Sequence, residues 1–302
     1  MMAQFARLAS RSYTNCVLVR KALARCRGFG PVLGGLENQK GAGMAGAFDL
    51  GLAGARVVVT AGAGGIGRQI VEVFHGLGAR VATCDIDDEA LAQLPAGVLG
   101  ARVDVADAAA LGGFIDHSAA QLGGIDCLVN NAGIAGPTAR IEDLDLADIE
   151  RCLAVCLTSQ FITIGRAVPH LRQGRAPAIV NISSLAGRLG FKLRSPYAAA
   201  KWGVIGLTKS MAAELGPDGI RVNAVLPGIV AGARQRRVLE ARAQAQGRSF
   251  EEIEAQAFSY TAIKDYVTPQ QIADQVAFLA SPRSATMTGQ AISVCGDTAM
   301  LG

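Results

Sequence analysis

A glycine-rich turn between a strand and a helix most constrains the fold of this chain. Residues 55–60 read ARVVVT, the pattern of a buried strand, and an amphipathic helix is predicted over residues 65–77. Glycines in such a turn allow positive φ angles and let backbone N–H groups approach a pyrophosphate at the helix N-terminus. The order strand, glycine loop and helix therefore predicts a dinucleotide site. Its loop contacts are assigned to Gly62, Gly64, Gly65, Ile66 and Gly67.

An acidic residue further along indicates which dinucleotide is bound. Asp85 ends the second predicted strand, 18 residues after Gly67. A carboxylate at this point accepts hydrogen bonds from the adenosine ribose hydroxyls and repels the 2′-phosphate of NADP. The next residue, Ile86, brings no cation, whereas Arg68 is near enough in sequence to keep NADP open as an alternative. NAD is therefore the expected cofactor.

The rest of the chain alternates short β-branched runs with helical patterns. Strands are predicted near residues 80–84, 99–103, 126–130, 178–182, 220–225 and 291–294. Long helices are predicted over residues 145–172 and 196–215, and another helix begins near Pro269. Right-handed crossovers between parallel strands then give an α/β fold, a single-domain, Rossmann-like doubly wound sheet of about seven strands with helices on both faces. This catalytic domain is assigned to residues 48–302.

One segment breaks the alternation. Residues 231–268 form a polar stretch rich in Arg, Gln and Glu between the sixth strand and the helix near Pro269. Insertions beyond strand ends often carry specificity, so this stretch is predicted to be a substrate lid. Its cations Arg234, Arg236 and Arg237 fit either a solvated helix face or a basic mouth of the site.

The N-terminal residues 1–47 are basic and are predicted to be a disordered extension. Residues 1–43 contain seven lysines and arginines but only one acid, Glu37, and the stretch from residue 28 to residue 46 is rich in glycine. Two explanations stay open: an organellar transit peptide, or translated upstream sequence with the true start at Met44. The expected location is the cytoplasm, or an organellar matrix if the segment is a transit peptide.

Composition argues against several other classes of protein. The formal charge of +4 is concentrated in the N-terminal segment, so no nucleic-acid surface is expected. The seven cysteines are odd in number and scattered, which disfavours a disulfide framework. The histidines lack a second ligand at helical or turn spacing, so no metal site is expected. No apolar run reaches the roughly 18 residues that span a bilayer, and no membrane contact is expected.

Further motifs follow the predicted strands in order. Asp104-Val105 comes after the third strand, Asn130-Asn131-Ala132-Gly133 after the fourth and Ser183-Ser184 after the fifth. Tyr197 and Lys201 then lie four residues apart, and Pro227-Gly228-Ile229-Val230 follows the sixth strand. With the glycine loop, these motifs cover residues 50–297. The chain resembles the short-chain dehydrogenase/reductase family, in the group with a Tyr-x-x-x-Lys site.

The resemblance implies a role for each motif. Asp104, followed by Val105, would hold the adenine amine, and Asn131, Ala132 and Gly133 would support the cofactor and the central sheet. The turn at Pro227, Gly228, Ile229 and Val230 would face the nicotinamide. Ser184 would hydrogen-bond the substrate oxygen, with Ser183 the less favoured candidate, and Lys201 would hydrogen-bond the nicotinamide ribose.

The spacing of Tyr197 and Lys201 also has a chemical meaning of its own. Residues four apart on a helix share one face, so the phenol and the ammonium are expected to lie together. A phenol is a poor base at neutral pH, but a neighbouring ammonium favours the phenolate form. Tyr197 is therefore the predicted general acid/base, and Ser184 is expected to polarise the substrate carbonyl.

Three positions depart from the family pattern. Ala61 replaces the leading glycine of the loop, Cys156 replaces the Asn of the usual Val-Asn-Leu-x-Gly, and Gly232 replaces a Thr that contacts the cofactor. A thiol is a weak donor and acceptor, so a proton relay through Cys156 would be slower. A purely structural role of Cys156 as a small buried side chain is equally open.

The leading hypothesis is an NAD-dependent oxidoreductase that interconverts a secondary alcohol and a ketone on a small or medium substrate. One alternative is reduction of 3-oxoacyl groups on a carrier protein or coenzyme A. Another is a cofactor-binding scaffold with little turnover, prompted by Cys156 and Gly232. The resemblance also implies a homotetramer or homodimer built on the two long helices and the region of the last strand.

Overall fold

The computed structural model describes residues 49–301, so the predicted extension at residues 1–47 lies outside the described part of the chain. Seven strands form one sheet in the order β3-β2-β1-β4-β5-β6-β7, and every pairing is parallel. The predicted doubly wound sheet is confirmed. The strands are β1 Arg56–Thr60, β2 Arg80–Asp85, β3 Leu99–Arg102, β4 Cys127–Asn130, β5 Ala178–Ile182, β6 Arg221–Pro227 and β7 Ala291–Val294.

Helices cover both faces of the sheet. Successive residues of a strand point to opposite faces, so Val58 joins one hydrophobic core while Val57 and Val59 join the other. Helices α3, α5 and α6 pack on the first face, and α1 and α9 pack on the second. The α-helices are α1 Gly65–Gly76, α2 Asp88–Ala92, α3 Ala108–Leu122, α4 Leu146–Leu153, α5 Ser159–Leu171, α6 Ser195–Leu215, α7 Ala233–Gln246, α8 Phe250–Ser259 and α9 Pro269–Ala280.

The long helix predicted over residues 145–172 is present over Leu146–Leu171, but it is not uniform. A π-helical turn, Ala154–Thr158, separates α4 from α5. The hydroxyl of Ser159 donates a hydrogen bond to the carbonyl of Val155 at 2.8 Å, which satisfies an acceptor in the widened turn. Such turns carry one extra residue and are frequent at functional sites. This turn contains Cys156.

The stretch Leu146–Leu171 is long and apolar enough to cross a membrane by length and composition alone. Its apolar side chains pack in the protein interior: Ile164, Ala167 and Leu171 are buried in the core on the first face of the sheet. Packing in that core explains why the segment is apolar.

The predicted lid, residues 231–268, forms two helices, α7 and α8. They enclose a small apolar cluster that contains Leu239, Ala243 and Ile253. The two ends of the segment are joined, because the N–H of Ala231 donates to the carbonyl of Val267 at 2.9 Å and the N–H of Val267 donates to the carbonyl of Ile229 at 2.8 Å. The segment therefore leaves the domain and returns to it at one place, beyond β6.

Candidate active site

A cavity of about 570 Å³ lies beyond the carboxyl ends of the central strands. Loops after β1, β2, β4, β5 and β6 form its walls, together with the start of α6 and one side of α7. Fourteen of the predicted site residues line it: Gly64, Gly65, Ile66, Gly67, Asp85, Asn131, Gly133, Ser184, Tyr197, Lys201, Pro227, Gly228, Ile229 and Val230. One continuous cavity thus brings together the predicted cofactor and catalytic groups.

Close packing explains the glycine loop. A Cβ atom on Gly67 would lie 2.0 Å from the carbonyl oxygen of Ala61 and 2.5 Å from Nδ2 of Asn131, so no side chain fits there. Asn131 holds the loop from below, because its Nδ2 donates to the carbonyls of Thr60 and Ala61 at 3.1 and 2.9 Å. No side chain caps the N-terminus of α1 and its first turn contains no acid. Its free N–H groups and positive dipole end suit a pyrophosphate.

Asp85 lies at the end of the cavity nearest this loop. Its Oδ2 accepts a hydrogen bond from the N–H of Ala63 at 3.1 Å, and its Oδ1 accepts one from the N–H of Ile86 at 2.8 Å. Arg68 is held elsewhere, since its Nε pairs with Glu72 at 2.6 Å and its Nη2 donates to the carbonyl of Gln93 at 2.7 Å. The residues present therefore fit a nicotinamide dinucleotide, with a carboxylate at the point where the adenosine ribose would lie.

The two candidate serines have different environments. Ser183 is buried, and its hydroxyl donates to the main-chain carbonyl of Lys201 at 2.8 Å. Ser184 is half-buried and lines the cavity, where its Oγ accepts a hydrogen bond from the N–H of Ala186 at 3.2 Å. The hydroxyl hydrogen of Ser184 is thus free to point at a substrate oxygen, whereas Ser183 joins β5 to α6.

Tyr197 and Lys201 lie on the same face of α6, as their spacing predicts. The ammonium Nζ of Lys201 is 5.8 Å from the centre of the Tyr197 ring and donates to the carbonyl of Ile182 at 2.8 Å. Lys201 is only 2 % exposed, which is rare for a lysine and places its charge inside the cavity wall. The pair therefore places a phenol hydroxyl and a buried positive charge on the same side of the cavity.

Cys156 lies beneath Gly133, close to the cavity but not in its lining. The N–H of Ile134 donates to its Sγ at 3.4 Å, and the thiol lies 3.5 Å from the carbonyl of Ile134. A hydrogen bond from Cys152 lowers the pKa of Cys156, burial opposes this shift, and the charge of Lys201 adds to it. The thiol at the position of the family's Asn therefore lies close enough to Lys201 for the lysine charge to affect it.

Backbone geometry accounts for one of the other departures and not for the second. Gly232 has φ +138°, a conformation that a Thr rarely adopts, and it forms the N-cap of α7. Ala61 also has a positive φ, 54°, which a glycine would adopt with less strain. Nothing in the structure explains the alanine at position 61.

Four predicted cofactor residues lie outside the cavity lining. Gly62 packs against Thr83, where a Cβ atom would come within 2.1 Å of the hydroxyl oxygen, and Ala132 and Val105 are buried. Asp104 pairs with Arg151 at 3.0 Å. Partial burial opposes ionisation of Asp104, but the N–H of Ala106 and the Arg151 guanidinium lower its pKa overall. The ion pair holds Asp104 beside α4.

A group of residues at the lid end of the cavity was not predicted from the sequence. Phe191, Arg194, Arg242, Met300 and Leu301 line that end. Arg194 had a detectable signal, because it lies next to the start of the predicted helix that carries Tyr197, three residues before the tyrosine. Arg242 had no such signal in the sequence, since its burial depends on how α7 packs against Ile229 and α8.

Comparison with known proteins agrees with this geometry. A family model described as enoyl-(acyl carrier protein) reductase matches residues 60–296. The chain is 36% identical over 252 residues to cis-4-hydroxycyclohexanecarboxylate dehydrogenase from Sinomonas cyclohexanicum, covering 79% of this chain and 94% of that protein. It is also 36% identical over 251 residues to a probable galactose dehydrogenase, GalD, of Rhizobium meliloti strain 1021, covering 80% of this chain and 93% of the relative.

Among solved structures, an NAD+-bound xylitol dehydrogenase matches with a TM-score of 0.77 and 28% identity, covering 81% of this chain and 99% of that one. The chain belongs to the short-chain dehydrogenase/reductase family. It is an oxidoreductase of the class that acts on alcohol groups, as the sequence predicted.

Proposed function

We propose that this protein uses NAD to interconvert a secondary alcohol and a ketone, with Tyr197 as general acid/base. The observation that supports this most is that Ser184, Tyr197 and Lys201 line the same cavity as the glycine loop and Asp85. A cofactor held by that loop and Asp85 would extend towards Tyr197. Bound nicotinamide supplies a hydride acceptor or donor.

The side chains supply the proton chemistry and the orientation. The Ser184 hydroxyl donates to the substrate oxygen and stabilises negative charge that develops there. Tyr197 takes the hydroxyl proton in the oxidation and returns it in the reduction. Lys201 places a positive charge beside the phenol, and its buried Nζ is fixed by the carbonyl of Ile182.

NAD is favoured over NADP by the environment of Asp85. Its carboxylate lines the cavity. Arg68, the first cation after the glycine loop, is paired with Glu72 and does not line the cavity. A 2′-phosphate would be repelled by the negative charge of Asp85.

A small or medium substrate is supported by the walls of the cavity. The half nearest the lid carries apolar side chains from Leu185, Phe191, Met300 and Leu301. The relatives' names describe dehydrogenases of a hydroxycyclohexanecarboxylate and of galactose. We propose a compact cyclic or short-chain alcohol as substrate.

A second candidate is reduction of an acyl group borne by a carrier. The specific observation in its favour is that Arg234 and Arg237 are exposed and line the cavity, where they could meet a phosphate-bearing arm. Asp85 speaks against the NADPH that such reductases favour, so this candidate ranks second.

We further propose a homo-oligomer built on the two long helices. Phe161 on α5 and Trp202 on α6 are 55% and 53% exposed, and a partner that packs on these two helices would cover both side chains. Light scattering at several protein concentrations tests this assembly.

The proposed function is tested with the purified full chain, NAD and a panel of secondary alcohols, following NADH absorbance. We expect turnover by the wild type and its loss in Tyr197→Phe, while NADH binding measured by fluorescence is retained. Tyr266→Phe removes a phenol whose hydroxyl bonds Glu254 outside the cavity lining, and it should keep turnover. Unchanged turnover in Tyr197→Phe would contradict the proposal.

A further inference from the structure

The lid end of the cavity is lined by guanidinium groups. Arg194, Arg234, Arg237 and Arg242 all contribute to it, and Lys201 adds a further positive charge. Among the described residues that line the cavity, Asp85 is the one carboxylate, and it lies at the opposite, cofactor end. The part of the cavity that would receive the substrate is therefore strongly positive.

Arg194 is buried beside the catalytic phenol. It is 2% exposed, and its guanidinium carbon lies 4.8 Å from the centre of the Tyr197 ring and 4.9 Å from that of Phe191. Its Nη2 donates to the carbonyl of Ala135, but its buried Nε has no hydrogen-bond partner among residues 49–301. A buried positive charge next to the reacting centre is thus only partly satisfied by the protein.

Arg242 approaches the same place from the lid. It lies on α7, is 5% exposed, and its guanidinium carbon is 5.8 Å from the centre of the Phe191 ring. Its buried Nη2 also lacks a hydrogen-bond partner within the described chain. Two buried guanidinium groups from separate elements therefore meet at one aromatic ring.

Burying these charges is unfavourable without an anion. Desolvation lowers the pKa of both Arg194 and Arg242. Tyr197 opposes this shift for Arg194, and Tyr260 opposes it for Arg242, while the neighbouring cation Arg234 adds to the shift of Arg194. Buried guanidinium groups in proteins are normally paired with carboxylates. The ionisable groups that act on Arg194 and Arg242 within residues 49–301 are tyrosines, a cysteine and other arginines, with no carboxylate among them. An anionic group supplied by the substrate would offset the buried charges of both arginines, because a guanidinium binds a carboxylate through two parallel hydrogen bonds.

We propose that the substrate is a hydroxy acid, or the corresponding oxo acid, whose carboxylate binds between Arg194 and Arg242. This inference rests on the proposed function, since it places the carbinol carbon at Tyr197 and the carboxylate beside it. The carboxylate itself gains and loses no bond during the reaction. It orients the substrate, and the lid closes over it through Arg242.

Binding of unreactive acids tests the proposal without turnover. The full chain, with and without saturating NADH, is titrated calorimetrically with butyrate, cyclohexanecarboxylate and benzoate and with the matching amides. We expect at least one acid to bind about 10-fold or more tightly than its amide. The preference should fall to near parity in Arg194→Met and in Arg242→Met.

Arg236→Met is the matched control, because Arg236 pairs with Glu240 on the exposed face of α7 and lies outside the cavity lining. It should keep the preference for the acid. If Arg194→Met does not fold, Arg194→Lys and Arg242→Met decide, since lysine keeps the charge but loses the paired hydrogen bonds.

Equal affinity of the wild type for acids and amides would overturn the inference, as would a preference that survives in both Met variants. Tighter binding of methyl phosphate than of every carboxylate would also overturn it. Failure of the wild type to bind NADH would instead overturn the proposed function. The titration without NADH would still measure the preference for a carboxylate in that case.

Discussion

The hydroxyl of Ser183 donates a hydrogen bond to the main-chain carbonyl of Lys201 at 2.8 Å. This contact joins the end of β5 to the middle of α6. A Cβ atom on Gly187 would lie 2.6 Å from the same carbonyl, so strand and helix approach each other closely here. The distance between Ser184 and Tyr197 is therefore fixed by their neighbours.

Adjacent serines should then respond differently to the same substitution. Ser184→Ala should reduce kcat by about 10²- to 10³-fold with little change in stability, because it removes a donor to the developing oxyanion. Ser183→Ala should lower the free energy of unfolding by about 1 kcal/mol, because it removes a buried hydrogen bond that joins β5 to α6. Steady-state kinetics and urea unfolding of both variants check this, and the reverse pattern would exchange the two roles.

Gly67→Ala should abolish cofactor binding. The added methyl would overlap the carbonyl of Ala61 and the amide of Asn131, so the loop must move away from its place at the helix N-terminus. Gly76→Ala in the same helix has open space at its Cβ and serves as the control. We expect it to retain NADH binding and to gain up to about 1 kcal/mol of stability. Fluorescence titration with NADH compares the two, and normal binding by Gly67→Ala would contradict the geometry.

Asp85→Ala should weaken NADH binding by about 10- to 100-fold, since hydrogen bonds to a charged group are worth about 1.5–3 kcal/mol. Adding Ile86→Arg to Asp85→Ser should shift the preference towards NADPH, because a cation replaces the carboxylate at the ribose. The ratio of the NADH and NADPH dissociation constants is the measurement. An unchanged ratio in both variants would show that Asp85 does not contact the ribose.

Acid stability should depend on Asp126, at the amino ends of the central strands. Burial opposes its ionisation, but hydrogen bonds from Arg56 and from the N–H groups of Arg175 and Arg56 lower its pKa below the ordinary 3.8. A depressed carboxyl pKa gives stability that is fully present above the unfolded-state value and is lost as the pH falls through the folded-state value.

Asp126→Asn should therefore be less stable at neutral pH by roughly 3 kcal/mol, because it leaves Arg56 partly buried without its partner. Its free energy of unfolding should fall less than that of the wild type between about pH 5 and about pH 3. Asp218→Asn breaks an exposed pair with Arg172 and should change stability by less than about 1 kcal/mol. Parallel acid profiles for wild type and Asp126→Asn would contradict this account.

Much of the fold could be predicted because hydrophobic periodicity and turn chemistry agree along the chain. β5 and β7 have the predicted bounds, and β1 differs by one residue. The catalytic helix α6 begins one residue before the prediction, where Pro196 occupies its first turn. Motifs that follow consecutive parallel strands meet at one edge of the sheet, so the position of the cavity was also predictable.

The remaining features depend on contacts that no local pattern encodes. The π-helical turn at Ala154–Thr158 replaces a regular helix without any proline or glycine to mark it. The burial of Arg242 results from packing of α7, a helix whose sequence is strongly polar. A polar sequence predicts solvent exposure, and only the tertiary fold shows that one of its arginines turns inward.

Because the two ends of the segment at residues 231–268 are paired, changes within the segment can occur independently of changes in the sheet. Both ends are fastened to each other through Ala231 and Val267, so helices of other lengths can be inserted there without moving the strands. The side chains of this segment that line the cavity can thus diverge together, while the part of the domain that would bind the dinucleotide stays the same. A graft of residues 231–268 onto a relative would carry Arg234, Arg237 and Arg242 with it, but not Arg194, which lies at the start of α6.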